Sequence, residues 1–455
     1  MSRLRFSAFT MNSLSHIHHG LWARPDSNHV GYTDLETWVD LAKLLERGKF
    51  DAIFFADVVG IHDSSEDIRN TAISVGVQFP INDPSLLVPA MAYATEHLGF
   101  AFTHSVLQDH PFNFARRMST LDHLTKGRLA WNIVTSYLNN TARNLGHGDL
   151  PSHEERYARA DEYMEVVYKL WEGSWEDDAV VRDVERRIYT DPTKVHAINH
   201  SGRFYPDIPG PHLSEPSLQR TPVLFQAGSS LQGREFAARN AEAVFVGART
   251  PEAARGQIED VRRRAVQHGR DPGSILFFQG LGFVVGGTEA EVRRKQAEID
   301  EYASDEGYAA NLAGSMGVDL GEVDLDAPIS ELRDTKSSNV VRAFIESAPD
   351  ASWTLGDVLR YTADLKVAGT PEQIADELEL WADAGIAGIN VLYYTTPGSF
   401  VDFIDGVTPV LQERGLQQSE YRPGTLREKL FDGLSGPRLR DDHVGSTYRP
   451  VRVLA

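Results

Sequence analysis

Residues 225–235 read FQAGSSLQGRE. An apolar strand from Thr221 to Ala227 (TPVLFQA) runs into Gly228, Ser229 and Ser230, and a helical segment (REFAARNAEA) follows at once. Gly228 allows the backbone to turn sharply and to approach another group closely. Ser229 and Ser230 fall where a helix presents unpaired N–H groups and the positive end of its dipole. A strand, a small polar turn and a helix N-terminus together make an anion site, most often one for phosphate. The same strand-then-helix order recurs along the chain, and that recurrence decides the fold.

Short apolar runs occupy 4–10, 52–57, 98–105, 128–136, 222–227, 243–247, 275–286 and 388–394. Amphipathic stretches separate them at 34–48, 84–97, 111–125, 154–172, 231–242, 251–268, 288–303 and 371–385. In the first of these, Leu35, Trp38, Leu41 and Leu45 recur at helical spacing and are expected to share a face. Continuous apolar strands that each precede a helix imply a parallel sheet covered on its outer side. Eight of them predict an α/β fold closed into a (β/α)8 TIM barrel. An open doubly wound sheet usually carries GxGxxG after its first strand, and here that strand is followed by TMNSLSHIHHG. Long insertions are expected at 173–221, before the fifth strand, and at 304–365, between the seventh and eighth, with a short helical piece at 339–347. The expected organisation is one barrel domain over 1–415 and a C-terminal arm over 416–455, rich in Arg, Pro and Gly.

Composition narrows the function classes. The 455 residues include 45 Lys and Arg against 65 Asp and Glu, a net charge of −20. Such acidity disfavours nucleic acid or an anionic membrane as main partner. With no cysteine, thiolate metal sites, iron–sulfur clusters and cysteine nucleophiles are excluded. No apolar run approaches the roughly 18–20 residues that span a membrane, and MSRLRFSAFTMNS does not read as a signal peptide. A soluble, cytoplasmic protein is expected.

In a barrel of this kind, chemistry gathers where strands end and helices begin. That rule selects Asp57 after the second strand, Thr103, His104 and Ser105 on the third, Asn132, Thr135 and Ser136 on the fourth, and Ser229 and Ser230 after the fifth. Each could instead be an ordinary helix cap or turn residue; their concentration at one rim favours a site. His153 and Tyr157 lie four apart at a predicted helix start and so share a face, and Ser152 with Glu155 has the spacing of a capping box. His16, His18 and His19 form a histidine-rich loop after the first strand. No acidic residue stands near them at ligand spacing, so no metal site is expected.

The strings FFADVVG (54–60), VPAMAYATEHLGF (88–100), RLAWNIVTS (128–136), HEERYARADEYMEVVYKLWEGSWEDDAV (153–180), FQAGSSLQGREFAARNAEAVFV (225–246) and GTPEQIADELELWADAGIAGINV (369–391) resemble the bacterial-luciferase-like flavin monooxygenases. The subgroup is that of nitrilotriacetate, dibenzothiophene-sulfone and dimethyl-sulfide monooxygenases, and the resemblance runs from Phe6 to about Lys429. It implies a TIM barrel that binds reduced FMN (FMNH2) from a separate NAD(P)H:flavin reductase, with O2 as co-substrate. A flavin C4a-(hydro)peroxide would then oxygenate a small organic substrate, an organosulfur compound (sulfide or sulfone) being favoured over a polyaminocarboxylate. Carried over by motif, the flavin-binding positions fall on Asp57, Thr103, His153, Tyr157 and Ser229, with Ser230 adjacent and Asn132 added from WNIVTS. His16 is the candidate catalytic residue, a pocket group able to hydrogen-bond the peroxide. The insertion 304–365 is a candidate lid, and a homo-oligomer, dimer or tetramer, is expected. Two rivals stay open, an F420-dependent oxidoreductase on the same barrel and a flavin-binding protein without turnover. A carboxylate-dyad glycosidase needs acids at two strand ends, and only Asp57 is so placed.

Overall fold

The computed structural model describes residues 3–228, 230–316, 325–326, 328, 353–363, 365–434 and 436–450. The predicted piece at 339–347 lies outside them. Eight strands follow one another in the sheet: β1 (Arg5–Met11), β2 (Ala52–Ala56), β3 (Gly99–Ser105), β4 (Leu129–Val134), β5 (Val223–Gln226), β6 (Ala243–Val246), β7 (Leu276–Val285) and β8 (Gly388–Leu392). Their order is their chain order, β8 returns to β1, and the fold is a closed (β/α)8 barrel. A short strand, Lys366–Gly369, adds to the C-terminal half of β7.

Two compact units make up the chain. The first comprises residues 1–87, 137–150 and 279–419. In it β1 lies between β2 and β8, with Ser7 opposite both Ala52 and Asn390. Phe6 packs on Phe403 and Phe50 at ring separations of 5.6 and 6.2 Å. Helix Leu35–Arg47 buries Trp38, Leu41, Ala42 and Leu45. Leu35, the first residue of the helix, is exposed, contrary to the sequence pattern. Helices Asp305–Met316 and Leu355–Ala363 pack together through Tyr308, Ala309, Ala313, Leu355, Val358 and Leu359. Arg360 pairs with both Asp305 and Asp357.

The second unit comprises residues 88–136, 151–278 and 420–455. Trp131 of β4 is fully buried, and its indole N–H donates to the His104 carbonyl at 2.9 Å. The stretch expected as one helix over 84–97 is a 3-10 turn, Pro84–Leu86, and a short helix, Val88–Tyr93. Pro89 lacks the N–H that a continuous helix needs at that point. Within 173–221 the strands Val180–Asp183 and Ile188–Thr190 form an antiparallel pair.

Residues 420–450 are fastened by arginines. Arg427, wholly buried, donates to both oxygens of Glu242 at 2.7 and 2.8 Å and to the carbonyls of Thr221 and Pro222. Burial would raise the Glu242 carboxyl, but the Arg427 charge holds it below the usual range. Arg438 and Arg449 both reach Glu172, at 3.0 and 2.9 Å. Removing one member of a buried pair strands the other. Arg427→Met is therefore expected to cost about 3–5 kcal/mol of stability, read as a lower urea midpoint. The double variant Arg427→Met/Glu242→Leu should recover most of that loss, because no charge is then left unpaired.

Candidate functional site

The polar cluster of the second unit is built at the exit of β5. The strand ends at Gln226, and helix Leu231–Asn240 starts five residues later. Ser230 is its N-cap, accepting from the Gly233 N–H at 3.0 Å. This is the ordinary role of a serine there, and it leaves the N–H groups of Leu231 and Gln232 directed outward at the positive end of the helix. The same hydroxyl lies 3.3 Å from His153 Nε2. The His153 and Tyr157 rings stand 4.9 Å apart, as residues four apart on a helix should.

Two glycines permit this crowding. A methyl on Gly228 would sit 2.4 Å from Gln226 Nε2, 3.0 Å from Gly233 Cα and 3.1 Å from the Tyr157 hydroxyl. A methyl on Gly233 would sit 2.9 Å from the same hydroxyl. Burial pushes the Tyr157 phenol up, so it remains a protonated donor.

One strand further, Thr103 and Asn132 are register partners on β3 and β4, and Asn132 Nδ2 donates to Thr103 Oγ1 at 2.9 Å. Asn132 Oδ1 and Gln226 Oε1 are buried acceptors without a hydrogen-bond partner among the described residues. Such orphans are costly and call for a ligand or a water. Together with the glycine-lined cradle they fit a cofactor that has an anionic end and polar N–H or O–H groups along its length.

The structure thus brings His153, Tyr157 and Ser230 together, and separately Thr103 with Asn132. Ser229 lies outside the described residues. The Ser152–Glu155 capping box is only half made. Ser152 caps the helix by accepting from the Glu155 N–H at 3.2 Å, while the Glu155 carboxylate turns to Arg203 at 3.0 Å, a cation that repays it better than a neutral N–H. Gln226 was not singled out from the sequence, although a lone amide at the end of an apolar strand is the signal that marks Asn132.

Asp57 and His16 belong to the first unit. Asp57 directly follows β2 and is half-buried. His16 lies in the loop after β1, edge-on to Phe9 at 4.5 Å, and its carbonyl accepts from Gln78 Nε2 at 3.1 Å. Burial, then the neighbouring His18, lowers His16 to about 3, and His19 is lowered likewise to about 3. Both are neutral imidazoles. His18 Nδ1 meets the Tyr308 hydroxyl at 3.2 Å, and His19 Nδ1 meets Ser15 Oγ at 3.0 Å. His16, His19, Gln78, Tyr308 and Asn311 border a cavity of about 280 Å³. Tyr308 and Asn311 come from the insertion after β7, where the sequence offered no signal.

The luciferase-like monooxygenase family model matches residues 11–388. The long-chain alkane monooxygenase of Geobacillus thermodenitrificans is 49% identical over 450 residues, 99% of this chain and 98% of that protein. A crystal structure of a long-chain alkane monooxygenase superposes with a TM-score of 0.90 at 49% identity, covering 99% and 100% of the two chains. The dimethyl-sulfide monooxygenase of Hyphomicrobium sulfonivorans is 44% identical, over 99% and 95% of the two. Nitrilotriacetate monooxygenase component A of Aminobacter aminovorans is 34% identical, over 93% and 95%. A riboflavin lyase solved with modified FMN and riboflavin has a TM-score of 0.87 at 37% identity, over 99% and 100%. The chain belongs to the luciferase-like monooxygenase family, and it is a monooxygenase.

The neutral histidines make stability depend on pH. Unfolded, each ring takes a proton below its ordinary 6.5; folded, His16 and His19 stay neutral down to about 3. As pH falls through that window the unfolded state binds more protons, so stability declines. The melting temperature should drop between about pH 7 and pH 5, with a shallower slope in His16→Gln. Equal slopes in the two proteins would contradict the buried neutral ring.

Proposed function

We propose that the protein uses reduced FMN and O2 to oxygenate a small organic substrate, with the flavin reduced by a separate NAD(P)H:flavin reductase. The observation that carries this reading is the cradle at the end of β5. There Gly228 and Gly233 admit a close approach, the first turn of helix Leu231–Asn240 offers N–H groups, and His153, Tyr157 and Ser230 converge. That donor set suits the FMN phosphate. Thr103, Asn132 and Gln226 suit the rest of the cofactor, because two buried amide oxygens await N–H or O–H donors. Asp57 and His16 are assigned to the flavin and to the substrate pocket from their places after β2 and β1.

Bound reduced FMN supplies the two electrons by which one oxygen atom of O2 enters the substrate and the other leaves as water. The chain's own residues bind, orient and exclude water. His16, neutral at working pH, serves as a hydrogen-bonding group and not as an imidazolium acid. A small organosulfur compound, a sulfide or sulfone, is the favoured substrate, supported by the likeness to the dimethyl-sulfide monooxygenase. The likeness to a protein named component A supports the separate reductase.

The test combines the protein with FMN, NADH and a generic flavin reductase and screens sulfides, sulfones, alkanes and aminopolycarboxylates for O2-dependent product. Ser230→Asp is the sharper probe. Aspartate caps a helix as well as serine does, so the fold is expected to persist, while its charge repels a phosphate. FMN affinity should fall at least about tenfold, the equivalent of about 1.4 kcal/mol; an unchanged affinity would sink the phosphate assignment.

A further inference from the structure

Arg156 stands among the residues of helix His153–Tyr168 that reach the end of β5. It follows His153 by three residues and so shares its side of the helix, and it directly precedes Tyr157. Its Nη1 donates to the Pro151 carbonyl at 3.1 Å, which holds the guanidinium back over the first turn, the way long side chains lean on a helix. The residues within helical reach are Ser152, His153, Arg159 and Ala160, and none of them is an acid. Of the two acids in the first turn, Glu155 binds Arg203 at 3.0 Å and Glu154 is exposed. Among the described residues Arg156 forms no ion pair, and its Nε is buried without an acceptor.

This is a costly place for a cation. Burial lowers the Arg156 guanidinium from its ordinary value, and a positive charge at the start of a helix opposes the dipole. Two helices begin here, His153–Tyr168 under Ser152 and Leu231–Asn240 under Ser230, and they meet where His153 Nε2 lies 3.3 Å from Ser230 Oγ. Each helix start carries about half a positive charge. Together they supply about one, and Arg156 supplies a second. A phosphate monoester carries about −1.5 to −2 at pH 7, a charge that this set matches and the neutral donors alone do not. Gln226, 2% exposed, lies against the same turn: its Nε2 stands 2.4 Å from where a methyl on Gly228 would be, and its Oε1 has no hydrogen-bond partner among the described residues.

We infer that Arg156 is the counter-charge to the flavin phosphate and the residue that selects a phosphorylated flavin over riboflavin. This role rests on the flavin reading above, to which it adds the group that offsets the phosphate charge. Bound phosphate gives the Arg156 Nε an acceptor and the guanidinium a partner of opposite sign.

The full chain is titrated with oxidised FMN and with riboflavin, followed by flavin fluorescence. The parent should bind FMN at least about tenfold more tightly than riboflavin. In Arg156→Met the FMN affinity should fall by about tenfold or more, with riboflavin affinity unchanged. Arg156→Lys, which keeps the charge, should retain most of the preference. Without flavin, the melting temperature of Arg156→Met should be no lower than the parent's, because the charge removed had no partner. Arg156→Gln provides the same comparison should the methionine variant not fold. A merely structural arginine would lower the melting temperature and weaken both flavins together, and that result overturns the assignment. So does an unchanged FMN affinity: if Ser230→Asp lowers it while Arg156→Met does not, the phosphate cradle stands and Arg156 has no part in it. A parent that binds FMN no better than riboflavin removes the phosphate reading itself, and this role with it.

Discussion

Gly228 lies with its backbone against that of Gly233, and neither position has room for a methyl group. This contact sets the angle at which helix Leu231–Asn240 leaves β5. It brings the Ser230 cap within reach of His153 and lets the Tyr157 hydroxyl cover the turn. Any larger residue would push the helix outward, and the donors would no longer point at one place. The parallel register does the rest. Thr103 faces Asn132 across β3 and β4, and Ile133 faces Gln226 across β4 and β5, so the polar residues reach the same ends of their strands.

The two halves of the candidate chemistry use opposite electrostatic strategies. At the end of β5, partial charges of N–H groups and hydroxyls gather to receive an anion. After β1, burial strips charge away, and histidines that would titrate near neutrality in water stay neutral. Of the buried acids, Glu172 and Glu242 are matched by arginines, Asp51 pairs with Arg3, and Asp122 accepts from the backbone N–H and side-chain amide of Gln219.

Much of the fold was legible because parallel barrel strands are continuous apolar runs, and their bounds differ from the expected ones by only a residue or two. The run 128–136 stops at Val134 because Ser136 takes a left-handed φ of 62° and leaves the sheet, its hydroxyl bonding Ser105 at 2.7 Å. Strand Lys366–Gly369 and helix Glu66–Val75 carry no such signal, the former because only Gly369 of its four residues is buried and the latter because it buries only Ala72. The pairing of His153 with Tyr157 and the helix start at Ser230 could be read from helical spacing and capping, which are local, whereas their meeting across 77 residues of chain was implied only by the family resemblance. Tyr308 and Asn311 could not, because an insertion carries them to His18 and the cavity wall over nearly three hundred residues of chain, and no local pattern encodes that return.

The arginine fastening of residues 420–450 has a consequence for synthesis. Glu242 leaves the ribosome 185 residues before the arginine that neutralises it. At about 5–20 residues per second, that is a delay of roughly 10–40 s. Through that interval Glu242 has no Arg427 to offset the cost of burying its carboxylate. The last segment of the second unit begins at residue 420, after the first unit ends at 419, so this ion pair cannot form until the whole of the first unit has been made.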